Sequence, residues 1–159
     1  MKKLTFMAAF LAASPAFAQD QDAAYELLDG IGLCMLGEGL VDKTTATLGD
    51  LGWTMEANPE AGLVDFYPTE GEATFGFMSD KVEFCQIEST VVGTDEAETM
   101  FNLFLMGGNT GITETSTGTD EMGCKTKTLS NGVVAVLTSG GNDPTCESET
   151  DSAVRFLFK

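Results

Sequence analysis

Histidine is absent from the 159 residues, and that absence removes more chemistry than any other feature of the chain. Without an imidazole there is no Ser-His-Asp or Cys-His nucleophile and no mixed Cys/His zinc centre. Basic residues are scarce as well: eight Lys and Arg stand against 25 Asp and Glu, for a net charge of −17. So acidic a surface repels nucleic acid and anionic lipid and favours a cationic partner. No two cysteines have the Cys-x-x-Cys spacing of a zinc ribbon or a thioredoxin-like redox site. There is no Gly-x-Gly-x-x-Gly or Walker sequence to cradle a phosphate. The Ser-x-x-Lys pattern of penicillin-binding enzymes is missing too, and Lys125-Thr126-Lys127 lacks the glycine of a Lys-Thr-Gly motif. These lysines, with Lys81, read as solvated strand residues. Internal repeats and linkers are also lacking.

No apolar run reaches the roughly 20 residues needed to cross a bilayer. The nearest is N-terminal, in MKKLTFMAAFLAASPAFA. Lys2 and Lys3 form a positive n-region, residues 4–13 an apolar stretch, and Ala16-Phe17-Ala18 a small-x-small cleavage site. Residues 1–18 are therefore expected to be a signal peptide and 19–159 a single domain. No lipobox cysteine follows, so no stable membrane anchor is expected after cleavage. The layout is bacterial in style, which makes the periplasm the expected compartment and full secretion the second choice. Cleavage removes two lysines and leaves six basic residues against 25 acidic ones, a net charge of −19.

What the chain does have is an even set of cysteines, Cys34, Cys85, Cys124 and Cys146. In an exported protein this implies two disulfides, with three connectivities open. The expected pairs are Cys34–Cys85, fastening an N-terminal helix to a sheet, and Cys124–Cys146, tying an acidic loop to a strand. Each contributes roughly 2–4 kcal/mol, mainly by restricting the unfolded chain.

Periodicity supplies the elements. Residues 22–38 place Ala24, Leu27, Leu28, Ile31, Cys34 and Met35 at helical spacing, although Gly30 and Gly32 weaken that helix. A second helix runs over 44–51, with Asp42 as N-cap and Gly52 at the left-handed C′ position. Residues 63–67 form a short strand stopped by Pro68. A hairpin is expected between 73–78 and 81–87, closed by Ser79-Asp80. Its two-residue loop would set Phe75 opposite Phe84 and Phe77 opposite Val82. Cys85 would then lie on the other face, so either both faces are covered or a bulge re-aims it. A third helix begins at Thr94 or Asp95 and carries the stripe Ala97, Met100, Phe101, Phe104 and Leu105. Residues 109–121 read as an exposed loop. Strands 122–129 and 133–138 flank Asn131-Gly132, a strong hairpin signal, and 153–159 form a last strand. The order ααβββαβββ implies an α+β fold: an antiparallel sheet of about five to six strands, with the N-terminal helical pair and one later helix packed on it.

Candidate functional residues are few. Trp53, the one tryptophan, reads either as a ligand-cleft residue or as a core aromatic. Asp143, Glu147, Glu149 and Asp151 lie in an acidic segment that suits Ca²⁺ if extended, but it lacks the glycine and terminal glutamate of an EF-hand; a solvated acidic loop is the simpler reading. The methionines form no Met-x-x-Met cluster and read as packing. No catalytic residue stands out and no cofactor is expected. The sequence thus leans away from an enzyme and toward a non-catalytic exported binding protein for a cationic protein or small ligand. One concrete form is an acidic inhibitor of a basic protein such as a lysozyme. The alternatives are a carboxylate-dependent hydrolase acting on cell-wall glycans and a calcium-binding periplasmic protein.

Overall fold

In the computed structural model, the described residues are 16–107 and 110–158, with side chains from residue 21 onward. The expected signal segment lies outside them except for its last three residues, which form the first turn of a helix. The elements are α1 (Ala16–Gly37), α2 (Val41–Leu51), β1 (Trp53–Asn58), β2 (Leu63–Pro68), β3 (Thr74–Ser79), β4 (Phe84–Ser89), α3 (Thr94–Gly107), β5 (Glu114–Thr119), β6 (Lys125–Leu129), β7 (Val134–Thr138) and β8 (Ser152–Leu157).

The eight strands form one antiparallel sheet in the order β1-β2-β3-β4-β8-β7-β6-β5. Two four-stranded meanders thus meet along β4 and β8, where Cys85 lies opposite Phe156 and Ile87 opposite Val154. Between them α3 carries the chain from the middle of the sheet to its far edge. All three helices pack on one face, where Leu27, Ile31, Phe66, Ile87, Phe101, Val154 and Phe156 are fully buried. The α+β class is as expected, and both disulfides have the expected partners. Cys34 joins Cys85 with Cα atoms 5.5 Å apart, and Cys124 joins Cys146 at 4.7 Å.

The strand count differs from expectation, and each extra strand has a cause. Strand β1 begins at Trp53 and pairs along its whole length with β2; its alternation is hidden because only Trp53 is fully buried in it. Strand β5 falls within the expected loop 109–121, since all six of its residues are exposed and no apolar alternation marks it. The turn of the β3–β4 hairpin is longer than expected. Phe77 lies opposite Gln86, not Val82, and Phe75 lies opposite Glu88, not Phe84, while Met78 faces Cys85. Residues 80–83 form the turn, with Val82 in the left-handed region at φ 63°. The slip is an even number of positions, so it leaves Cys85 on the face opposite Phe77 and Phe84. That face is the one the helices cover, which sets Cys85 beside Cys34 without a bulge. On the other side it is Phe77, not Phe75, that meets Phe84, edge-to-face with ring centroids 6.0 Å apart.

Helix ends moved by smaller amounts. Asp42 sits in the first turn of α2; the N-cap is Leu40, with no side-chain cap, while Gly52 occupies the left-handed position at φ 70°. Gly30 stands where α1 presses on β4: a Cβ there would overlap the Ile87 side chain. The glycine that weakens the helix is what lets it approach the sheet.

Candidate functional site

Two depressions on the surface bring chemically distinctive side chains together. The first is a carboxylate groove of about 710 Å³ between α1 and the segments leading into β3 and out of β4. Asp22, Tyr25, Glu26 and Asp29 form one stripe along α1, at the i, i+3, i+4, i+7 spacing that shares a helix face. Glu70 and Glu72 stand across from them, and no basic side chain lines the groove. Tyr25 is 59% exposed and offers its ring at the edge. Glu26 approaches the backbone so closely that a Cβ on Gly71 (φ 112°) would lie 2.6 Å from its Oε1. Burial pushes the Glu26 carboxyl above the usual range, a hydrogen bond with Thr74 offsets part of this, and the neighbouring Asp22 and Asp29 push it up further. Burial alone raises Asp29. Such a groove holds negative charge at a cost, and a bound cation relieves it.

The second is a polar cleft of about 490 Å³ between the first turns of α3 and strands β5 and β6. Thr94, Asp95 and Glu98 form one wall, Thr117 and Thr119 the other, and the Cys124–Cys146 corner with Glu147 closes the end. Beside it lies a charge network that contradicts the reading of Lys127 as solvated, while Lys125 is exposed as expected. Lys127 faces the helices between β6 and α3, with a side chain only 6% exposed. Its Nζ donates to Glu114 Oε2 at 2.8 Å and to Asn102 Oδ1 at 3.1 Å, and pairs with Glu98 Oε1 at 3.2 Å. Lys125, half exposed, donates to the other Glu98 oxygen. Burial alone would raise Glu98, but the bonds from Lys125 and Lys127 outweigh it and hold the carboxyl below its usual range. For Lys127 burial works against the charge, and Glu114 and Glu98 win, holding the ammonium above its usual value. This lysine is a structural cation, not a nucleophile.

The remaining candidates from sequence are placed as follows. Trp53 is 5% exposed and packs at a tilt on Phe66, ring centroids 5.9 Å apart. Asp143, Glu147 and Glu149 are exposed and dispersed along residues 140–151. That segment is pinned rather than loose: Thr94 N donates to Ser148 O at 2.9 Å, and Gly140 N donates to Asp151 Oδ2 at 2.9 Å. Gly141 N donates to Glu88 Oε2 at 3.1 Å. Asp151 is therefore occupied as a backbone acceptor. Among the described residues no three acidic or cysteine side chains converge as a metal site. The groove residues were missed from sequence because the apolar stripe of α1 drew attention to its buried face; the acidic stripe has the same period and was readable. Among the described residues no helix is long and apolar enough to cross a membrane. Compared with protein-family models, curated proteins and solved structures, the chain matches none.

Proposed function

We propose that the protein is an exported, non-catalytic binding protein that receives a cationic partner in the carboxylate groove. The observation that carries this reading is the lining itself: Asp22, Glu26, Asp29, Glu70 and Glu72 with no basic residue among them. Among the described residues, Lys43 pairs with Glu38, and Lys125 and Lys127 with Glu98, and neither they nor Lys81 and Arg155 line the groove. Tyr25 adds a ring face suited to an ammonium or guanidinium group. An acidic inhibitor of a basic enzyme such as a lysozyme is the form we favour, with electrostatic steering that fades as salt rises. The two disulfides and the N-terminal signal pattern support an oxidising compartment, the periplasm first. Calorimetric titration of a lysozyme at low and high salt tests the reading. Wild type should bind at low salt, and the triple variant Glu26→Gln, Glu70→Gln, Glu72→Gln should lose at least about tenfold. Equal binding by the variant, or none by wild type, removes the proposal.

A second reading has its own support. A carboxyl raised by burial beside ionised neighbours is the arrangement of a glycan hydrolase's general acid, and Glu26 with Asp22 and Asp29 has that character. If the groove cleaves cell-wall glycan, reducing ends should accumulate with wild type and not with Glu26→Gln. Absence of turnover leaves binding as the groove's activity.

A further inference from the structure

Strand β5 is one edge of the sheet, and beyond an irregularity at its first residues it carries few of the devices that close an edge. Soluble proteins ordinarily blunt such a strand with proline, lysine or a covering loop. The sequence Glu-Thr-Ser-Thr-Gly-Thr has no proline and no lysine, and all six residues are exposed. A register irregularity between Glu114 and Ser116 leaves residues 116–119 in regular pairing with β6.

The phase of that pairing decides which backbone groups are free. Leu129 N donates to Val133 O on the β7 side of β6, and Asp120 N donates to Cys124 O at the turn. Bonded and non-bonded pairs alternate along an antiparallel ladder. Ser116 and Gly118 therefore bond to Thr128 and Thr126, while Thr117 and Thr119 turn their amides and carbonyls to the open edge. Thr117 and Thr119 lie opposite Lys127 and Lys125, so their side chains share the helix-facing side and line the polar cleft. In that cleft Asp95, Glu98 and Glu147 outnumber Lys125, which Glu98 already holds.

We propose that β5 is a strand-addition site, at which an extended polypeptide segment pairs with the backbone of Thr117 and Thr119 and sets alternate basic side chains into the cleft. Main-chain bonds supply affinity in such a mode, and pockets for every second side chain supply specificity. A second copy of this chain fits less well. Edge-to-edge pairing would bring together Glu114 at the start of β5 and Asp120 and Glu121 just after it, on two chains each carrying −17. None of the cleft residues lines the carboxylate groove, so this site stands beyond the function proposed above, and either can fail alone.

The test is the binding of a labelled peptide of alternating lysine and valine, followed by anisotropy at low salt, to wild type, Thr117→Pro and Thr117→Val. Proline removes an N–H that the protein's own sheet does not use, so the fold and melting temperature should be kept. Valine keeps both the N–H and the β-branched shape. Thr117→Pro should weaken binding at least about tenfold, Thr117→Val should not, and the bound peptide should slow amide exchange at Thr117 and Thr119. The proposal is overturned if folded Thr117→Pro binds as wild type does, if the wild type does not bind the peptide, or if exchange at those two amides is unchanged on binding. A concentration-dependent dimer that Thr117→Pro abolishes would also overturn it, in favour of a second copy. Should Thr117→Pro fail to fold, the exchange measurement on wild type decides the matter.

Discussion

Lys127 is the buried cation that ties β6 to α3 and β5. Its charge is buried and balanced by Glu98 and Glu114, so removing it leaves two partly exposed carboxylates, of which only Glu98 keeps a cation, Lys125. Lys127→Met should destabilise the protein by about 2–3 kcal/mol, less than a fully buried pair because both acids keep some water. Urea unfolding measures this, and adding Glu98→Gln should recover part of the loss. Acid dependence at the residue scale has two opposing parts. Glu98 is held below the usual carboxylate range, so its contribution is present above that range and is lost as pH falls through its lowered value. Glu26 and Asp29 are raised, so the native state binds more protons than the unfolded chain, and stability falls as pH rises through the window above the usual range. Glu26→Gln should then stabilise by up to about 0.5 kcal/mol at pH 7, with the gain vanishing below about pH 4. Melting curves across that range check the sign. Little of this was legible in sequence, because a lysine in Lys-Thr-Lys-Thr-Leu has no local mark of burial; its partners come from α3 and β5, 29 and 13 positions away in Glu98 and Glu114.

Among the elements, helices were the easiest to read and polar strands the hardest. The stripe on α3 is visible because Ala97 and Phe101 are buried and Met100, Phe104 and Leu105 pack at their margin. Strand β5 carries no such stripe, since neither of its faces is covered. The β3–β4 register differs from expectation because the turn holds four residues rather than two, and Phe75, Phe77 and Phe84, which look like core residues, lie on the side away from the helices, partly exposed. The buried face of β3 is Thr74, Gly76 and Met78. Gly30 allows a test in which helix propensity and packing have opposite signs. Propensity alone makes Gly30→Ala stabilising by about 1 kcal/mol; the overlap with Ile87 makes it destabilising by about 1–3 kcal/mol. We expect the packing effect to win in thermal unfolding, and Gly30→Ala to be partly rescued by Ile87→Ala.

At the scale of the molecule, the class and the cysteine pairs followed from sequence, whereas the sheet order did not. Strand β8 pairs with β4 although even the nearest pair, Ser89 with Ser152, is far apart in the chain, and nothing in Ser-Ala-Val-Arg-Phe-Leu names its neighbour. The two disulfides enclose separations of 51 and 22 residues. On chain entropy, replacing Cys34 and Cys85 by alanine should cost about 4 kcal/mol, and replacing Cys124 and Cys146 about 3 kcal/mol. Denaturant midpoints of the two double variants measure the difference. Each bond also lies wholly within one meander and its preceding helices, and none links the halves. The native pairs are therefore first with second and third with fourth, the order in which thiols emerge if the N-terminal end comes first. An oxidase that joins cysteines as they appear makes no wrong bond in this chain. Folding in an oxidising compartment should then proceed without a disulfide isomerase, even though the sheet itself is complete only when its last strand arrives.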